Sequence, residues 1–185
     1  MQVAAYSGSF NPLHIGHLAI LRSLTAMKDF DMTYLIVSPK NPLKSGIDPS
    51  SAAKRFEEAQ EALSRHPELR AKADDIELHM PSPQYTIRTL DALARREPEN
   101  RFTLVIGADS LASFRQWRDY RRILIDYGIA VYPRRGYDLK ALGRDLMAEN
   151  QLYRIREIDA PEVDVSSTEV RQMERLGEDV TPLLM

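Results

Sequence analysis

Short apolar runs rich in β-branched and aromatic residues recur along the chain, and stretches of helical period separate them. The runs fall at residues 3–6, 34–37, 76–78, 103–106, 129–132 and 153–158, and each reads as a buried or half-buried strand. Between the first two, residues 15–26 place Ile15, Leu18, Leu21 and Leu24 along one helical face. Residues 50–65 follow an Asp48-Pro49 start signal, carry Phe56, Ala59, Ala62 and Leu63 as their apolar stripe, and stop at His66-Pro67. Helical period returns at 86–96, 139–147 and 170–176. Strands that alternate with helices pair in parallel through crossovers, so the pattern predicts an α/β fold with a mostly parallel sheet and helices on both faces. The chain has 185 residues and neither an internal repeat nor a linker, which predicts one domain over 1–185.

Composition removes several chemistries. There is no cysteine, so disulfides, thiolate-bound zinc and a thiol nucleophile are all excluded. With 25 Lys+Arg against 27 Asp+Glu, the net charge of -2 argues against a surface built to trap nucleic acid, although a local basic pocket stays open. No run approaches the roughly 18 apolar residues of a membrane span, and MQVAAYSGSF lacks the charged flank of a secretory signal. These readings predict a cytoplasmic protein without nucleic-acid or membrane partners. Self-association is left open.

The first predicted strand runs into GSFNPLHIGH, residues 8–17. Gly8 permits backbone conformations closed to other residues, and Asn11-Pro12 makes a turn before a helix that starts near Leu13 or His14. A helix N-terminus at a strand's carboxyl end is an anion site. His14 and His17, three positions apart, share one side of its first turn, and Gly16 between them leaves room for a ligand. The same letters also describe a capped helix with two surface histidines. Zinc has little support, because only His66 and His79 remain as imidazole ligands. Far along the chain, DVSSTEVR at 164–171 sets Ser166, Ser167 and Thr168 before Arg171. The hydroxyls can cap a helix or donate to phosphate, and Arg171 adds a fork of charged donors.

Together these strings resemble the nucleotidyltransferases that carry (T/H)xGH and ISSTxxR signatures. VIGADSLASFRQWRDYRRIL at 105–124 resembles the GxDxLxxFxxW stretch of the nicotinate and nicotinamide mononucleotide adenylyltransferases, with Gly107, Asp109, Leu111, Phe114 and Trp117 in register. SPQYTIRTLDAL at 82–93 and SPKNPLKS at 38–45 resemble two further segments of that family, so the likeness covers nearly the whole chain. Asn11, Leu43 and Arg88 depart from its usual letters.

The resemblance implies a Rossmann-like fold of nucleotidyltransferase type, with its SSTxxR helical part from about residue 166. It also implies adenylyl transfer from ATP to nicotinate mononucleotide, yielding nicotinate adenine dinucleotide and pyrophosphate on the way to NAD. Nicotinamide mononucleotide, another adenylyl- or cytidylyltransferase reaction, and a non-catalytic nucleotide-binding module are the alternatives. His14, His17 and Arg171 are the implied catalytic residues. Gly8, Ser9, Phe10, Gly107, Asp109, Ser167 and Thr168 join them around ATP. Lys44, Thr86, Trp117 and Arg134 are expected around the mononucleotide, with Trp117 offering an aromatic plane to the pyridine ring. Magnesium is expected on the ATP phosphates, with no protein ligand assigned. A basic pocket of His14, His17, Lys44 and Arg171 would then sit inside a slightly acidic chain.

Overall fold

The computed structural model describes residues 1–39 and 52–185. Lys44 and nearly all of the Pro-rich segment that carries it therefore lie outside the described residues. Six strands form one parallel sheet: β1 Gln2–Gly8, β2 Met32–Val37, β3 Ala71–Asp74, β4 Arg101–Gly107, β5 Ile129–Tyr132 and β6 Ile155–Glu157. Their order is β3-β2-β1-β4-β5-β6. The chain builds outward from β1 to one edge, then returns to β4 on the other side, so the β1/β4 seam is a topological switch point. Loops diverge there and leave a crevice at the strands' carboxyl ends.

Period-two alternation divides the core. Ala4, Tyr6, Leu35, Val37, Val105 and Ala130 face one way, packed on α1 Ile15–Ala26 and α2 Ala52–Ser64 through Leu21, Leu24, Ala59 and Ala62. Val3, Ala5, Tyr34, Ile36, Leu104, Ile106, Ile129 and Val131 face the other way. That side is covered by α3 Thr86–Arg96 through Ile87, Leu90 and Leu93, and by α6 Leu139–Met147 through Leu146. Each fully buried leucine of this kind contributes about 1.5–3 kcal/mol. Between β4 and β5 lie the short α4 Ala108–Ala112 and α5 Tyr120–Arg122, the latter running into a π-helical turn at Ile123–Tyr127. The last helix, α7, is Ser167–Arg175.

One predicted strand moves. Residues 76–78 form part of a 3-10 turn, Ile76–His79, and the edge strand is the preceding Ala71–Asp74. Ala-Lys-Ala-Asp has little strand propensity, but pairing in register with Thr33 to Ile36 overrides it. The strand ends because the Asp74 carboxylate accepts from the Ile76 N–H at 3.1 Å and also holds Arg96 Nη1 at 3.1 Å. The turn then points Glu77 inward, where it is 4% exposed.

Candidate active site

The loop leaving β1 is shaped by its own side chains. A Cβ on Gly8 would stand 2.9 Å from the Phe10 ring, so Gly8 serves close packing rather than a special φ. The left-handed residue is Phe10 itself, at φ 45°. A buried aromatic residue in that region is costly and persists only where its surroundings hold it. Here the ring lies edge-on to Tyr6 at 5.4 Å and to His17 at 5.2 Å. After a cis Asn11–Pro12 bond the chain enters α1, with His14 as its N-cap.

The two histidines form a capping box. His14 Nδ1 accepts from the Gly16 N–H at 3.2 Å, and His17 Nδ1 accepts from the His14 N–H at 3.2 Å. A nitrogen that accepts carries no proton, so in the neutral rings Nε2 bears it and is the donor. The rings stack at 3.7 Å between centroids, tilted by 35°. Burial first, and then the Arg134 guanidinium, lower the His14 pKa to about 4. Near neutral pH His14 is therefore an uncharged donor, and the expected basic pocket loses one of its charges. A Cβ on Gly16 would meet the His14 ring at 3.0 Å, so the glycine also serves the packing of that ring.

Helix α7 is tied to the same loop. Ser166 and Glu169 close a second capping box, with Glu169 N–H donating to Ser166 Oγ at 3.2 Å and Ser166 N–H donating to Glu169 Oε2 at 2.8 Å. Ser167 Oγ donates to the Pro12 carbonyl at 3.0 Å. Arg171 donates to the Asn11 carbonyl and, at 3.2 Å, to Thr168 Oγ1. The distant motifs meet as expected, with Ser167 and Arg171, the latter also bonded to Thr168, acting first as clasps on the β1 loop.

A cavity of about 590 Å³ opens beside this junction, lined by His14, His17, Asp109, Tyr132, Arg134 and Ser166 among others. Arg134, expected beside the mononucleotide, is found here, because β5 ends next to β4 at the switch point and delivers Pro133-Arg134 to the histidine side. Its Nε is buried without a hydrogen-bond partner, and Asp109 Oδ1 at 3.8 Å is too distant to serve. A buried guanidinium donor without a partner, on a residue that lines a cavity, calls for an anion or another acceptor. Gly107 precedes α4, and a Cβ on it would collide with Asp109 Oδ1 at 2.3 Å, so the glycine lets the carboxylate fold back over the strand end.

On the other side of the β1 loop lies a recess of about 160 Å³ bounded by Gly8, Ser9, Ser38, Glu77, Thr86 and Trp117. Its size suits one ring rather than a whole nucleotide. Trp117 packs on Phe114 at 5.0 Å and keeps a buried Nε1 donor without a partner. Thr86 opens α3, whose N-cap, Tyr85, makes no side-chain capping bond. The recess thus has an apolar plane, one orphan donor and the positive end of a helix. Gly8 and Ser9, expected around ATP, line this recess.

Two buried residues here were missed from sequence. Glu77 accepts from Ser38 at 2.6 Å, Thr89 at 2.8 Å and Ser7 at 3.3 Å, and burial, opposed by these hydroxyls, raises its pKa. Arg55 is 2% exposed. A signal existed for Arg55: it shares the helical stripe Ala52, Ala59 and Ala62, a buried face on which a charge is out of place.

Known proteins resemble this chain in sequence and in fold. The profile of the family described as "Cytidylyltransferase-like" matches residues 5–173. A Porphyromonas gingivalis protein named "Probable nicotinate-nucleotide adenylyltransferase" is 37% identical over 180 residues, which cover 97% of this chain and 87% of that one. A Flavobacterium johnsoniae protein of the same name is 34% identical over 184 residues, 100% of this chain and 92% of the relative. Among solved structures, the Plasmodium falciparum nicotinic acid mononucleotide adenylyltransferase complexed with NaAD superposes with a TM-score of 0.77. That match covers 97% of this chain and 86% of the other at 16% identity, a likeness of fold.

Proposed function

The chain belongs to the cytidylyltransferase-like family and, within it, to the nicotinate-nucleotide adenylyltransferases, and on that footing we propose how its two cavities divide the work. It transfers the adenylyl group of ATP to nicotinate mononucleotide, a step of NAD biosynthesis. A 5′-phosphate oxygen of the mononucleotide attacks the α-phosphorus of ATP, the bond from that phosphorus to the bridging oxygen breaks, and pyrophosphate leaves. The nucleophile is already an anion, so no general base is required. Catalysis consists of positioning two polyanions and of placing donors where charge develops.

One observation carries the division of labour: two cavities open at the carboxyl ends of the strands at the two ends of the β1 loop, Gly8 and Ser9 lining the smaller and His14 the larger. The larger holds ATP. There His14 and His17 turn Nε2–H toward phosphate oxygens, Arg134 supplies the charge that neutral His14 does not, and Asp109 faces ribose hydroxyls. Arg171, Ser167 and Thr168 hold the loop and offer their remaining donors. The smaller recess holds the pyridine ring against Trp117, with the free N–H groups at Thr86 beside it. A helix N-terminus favours a carboxylate over an amide, which supports nicotinate over nicotinamide. The substrate carboxylate is expected on the Thr86 side, away from Glu77. Lys44 remains assigned to the mononucleotide phosphate by resemblance.

Magnesium fits as a companion of ATP. The larger cavity offers only oxygen and imidazole donors, including Asp109 and Asp164, which suits a hard cation that keeps most of its waters. When bound, it would neutralise charge on the phosphates. Cytoplasmic action and a single domain over 1–185 belong to the same reading, the latter supported by one continuous sheet. Among the described residues no helix is long and apolar enough to cross a membrane.

The test is pyrophosphate release with ATP and magnesium, offering nicotinate mononucleotide, nicotinamide mononucleotide and phosphopantetheine in parallel. Release is expected with the first, at least 10-fold faster in kcat/KM than with the others. Equal use of the two pyridine substrates would remove the carboxylate argument, and ATP binding without release would make this a binding module.

A further inference from the structure

Arg55 and Glu77 are 2% and 4% exposed, and neither lies in the strings on which the resemblance was read. A buried charge is normally stabilised by an opposite one, as Asp74 is by Arg96. Among the groups that Arg55 reaches are backbone carbonyls. Its Nη1 donates to the Ser9 carbonyl and, at 2.9 Å, to that of Ser38, and its Nη2 donates to that of Pro39 at 3.2 Å. Ser9 belongs to the loop leaving β1, whereas Ser38 and Pro39 follow β2. The guanidinium therefore bridges the exits of two neighbouring strands.

Ser38 joins this bridge to Glu77. While its carbonyl takes the Arg55 donor, its hydroxyl donates to Glu77 Oε2 at 2.6 Å and lies 2.9 Å from Ser7 Oγ. The result is one buried polar path: Ser9 carbonyl, Arg55, Ser38, Glu77, and then Thr89 on α3. Apolar side chains could fill the same space without desolvating two charges. What they could not supply is direction, since a planar fork fixes the carbonyls it holds. Ser9 stands next to Phe10, whose ring lies against His17 at 5.2 Å, so a shift of the Ser9 carbonyl is passed toward the phosphate donors.

We infer that Arg55, latched through Ser38 to Glu77, is a positioning residue that sets the spacing between the loop after β1 and the chain after β2. It thereby sets the approach of the mononucleotide phosphate to the α-phosphorus. This inference rests on the proposed function, because spacing matters only where two substrates must meet. Neither substrate need touch Arg55, so its loss acts on alignment more than on affinity. A misplacement near 1 Å costs about 100-fold in rate.

The test compares the unaltered protein with Arg55→Lys, which keeps the charge but cannot span three carbonyls. Pyrophosphate release gives kcat and both KM values, calorimetric titration with ATP counts competent molecules, and a melting curve reports folding. The expected result is a kcat lower by roughly 10- to 100-fold per competent molecule, with each KM within about 3-fold of the original. A kcat within 3-fold overturns the inference, as does a rise in both KM values at retained kcat. If Arg55→Lys does not fold, Ser38→Ala takes its place, because it removes the latch to Glu77 while leaving the carbonyl contacts. A loss near 10-fold supports the inference, and an unchanged kcat overturns it. Should the unaltered protein release no pyrophosphate with nicotinate mononucleotide, the functional reading falls and the inference with it. An active parent with an indifferent variant sinks the inference alone.

Discussion

Gly16 lies between the two histidines, and Gly16→Ala separates two accounts of why it is glycine. The added Cβ would stand 3.0 Å from Cε1 and Nδ1 of His14 and 3.3 Å from Cγ1 of Val165. Carbon atoms pack best at about 3.5–4.0 Å, so the ring must retreat by about 0.5 Å or more. It has little freedom to do so. It is 3% exposed, stacked on His17 at 3.7 Å, and held through Nδ1 by the Gly16 N–H itself. Catalytic constellations tolerate about 0.5 Å, so kcat should fall roughly 10-fold, with the KM for ATP close to the original. Overpacking costs about 1–3 kcal/mol, offset by about 1 kcal/mol from alanine's helix propensity. A net loss of about 0–2 kcal/mol would lower Tm by up to about 8 °C in a chain of this size. Steady-state pyrophosphate release across ATP concentrations and scanning calorimetry measure both. A variant with full kcat but an ATP KM raised 10-fold would show that Gly16 makes room for ATP, and the packing argument would fail.

His17→Ala should reduce kcat by roughly 100-fold or more while the far-ultraviolet circular dichroism stays unchanged, the scale for losing a preorganised donor. Equal turnover would remove His17 from the mechanism. Trp117→Ala should raise the KM for the mononucleotide at least 10-fold more than that for ATP, measured by varying each substrate in turn, and equal effects would make Trp117 a core residue. The last prediction concerns pH. His14 has a pKa of about 4 when folded against the ordinary 6.5 of an exposed imidazole, so as pH falls the unfolded chain takes up the proton first. Stability from neutral His14 is complete well above 6.5, declines through that value, and is lost by about 4. Between pH 7 and 5 this amounts to about 2 kcal/mol. His14→Asn keeps a capping acceptor that does not titrate, so urea unfolding should show a flatter decline over that interval. Parallel curves would refute the assignment.

The helices and most strands were legible because they follow local period. Ile15–Ala26, Thr86–Arg96 and Leu139–Met147 stand where the apolar spacing puts them. Residues 76–78 misled because their apolar letters have a strand's look, whereas the buried group among them is Glu77, held by hydroxyls from Ser7, Ser38 and Thr89. In the site, His14, His17 and Trp117 were found from motifs within short strings. Arg134 was expected beside the mononucleotide and lines the cavity of the two histidines, a placement its strand alone does not reveal, because the strand does not show which side of a switch point its loop will serve. Glu77 went unremarked because its partners come from three other elements.

The order of residues by itself determined the alternation of strand and helix, the exclusion of thiol chemistry, and the two strings at 8–17 and 164–171 that announce phosphate handling. Tertiary structure alone brought those strings together, through Ser167 bonding to Pro12 and Arg171 to Asn11. It also fixed the ring nitrogens that carry protons, removed the charge from His14, and buried Arg55 and Glu77 on one polar path. Residue type and period are properties of neighbours along the chain. Protonation and donor direction depend on solvent exclusion and on groups far away in sequence, and those exist only after the sheet has closed around them.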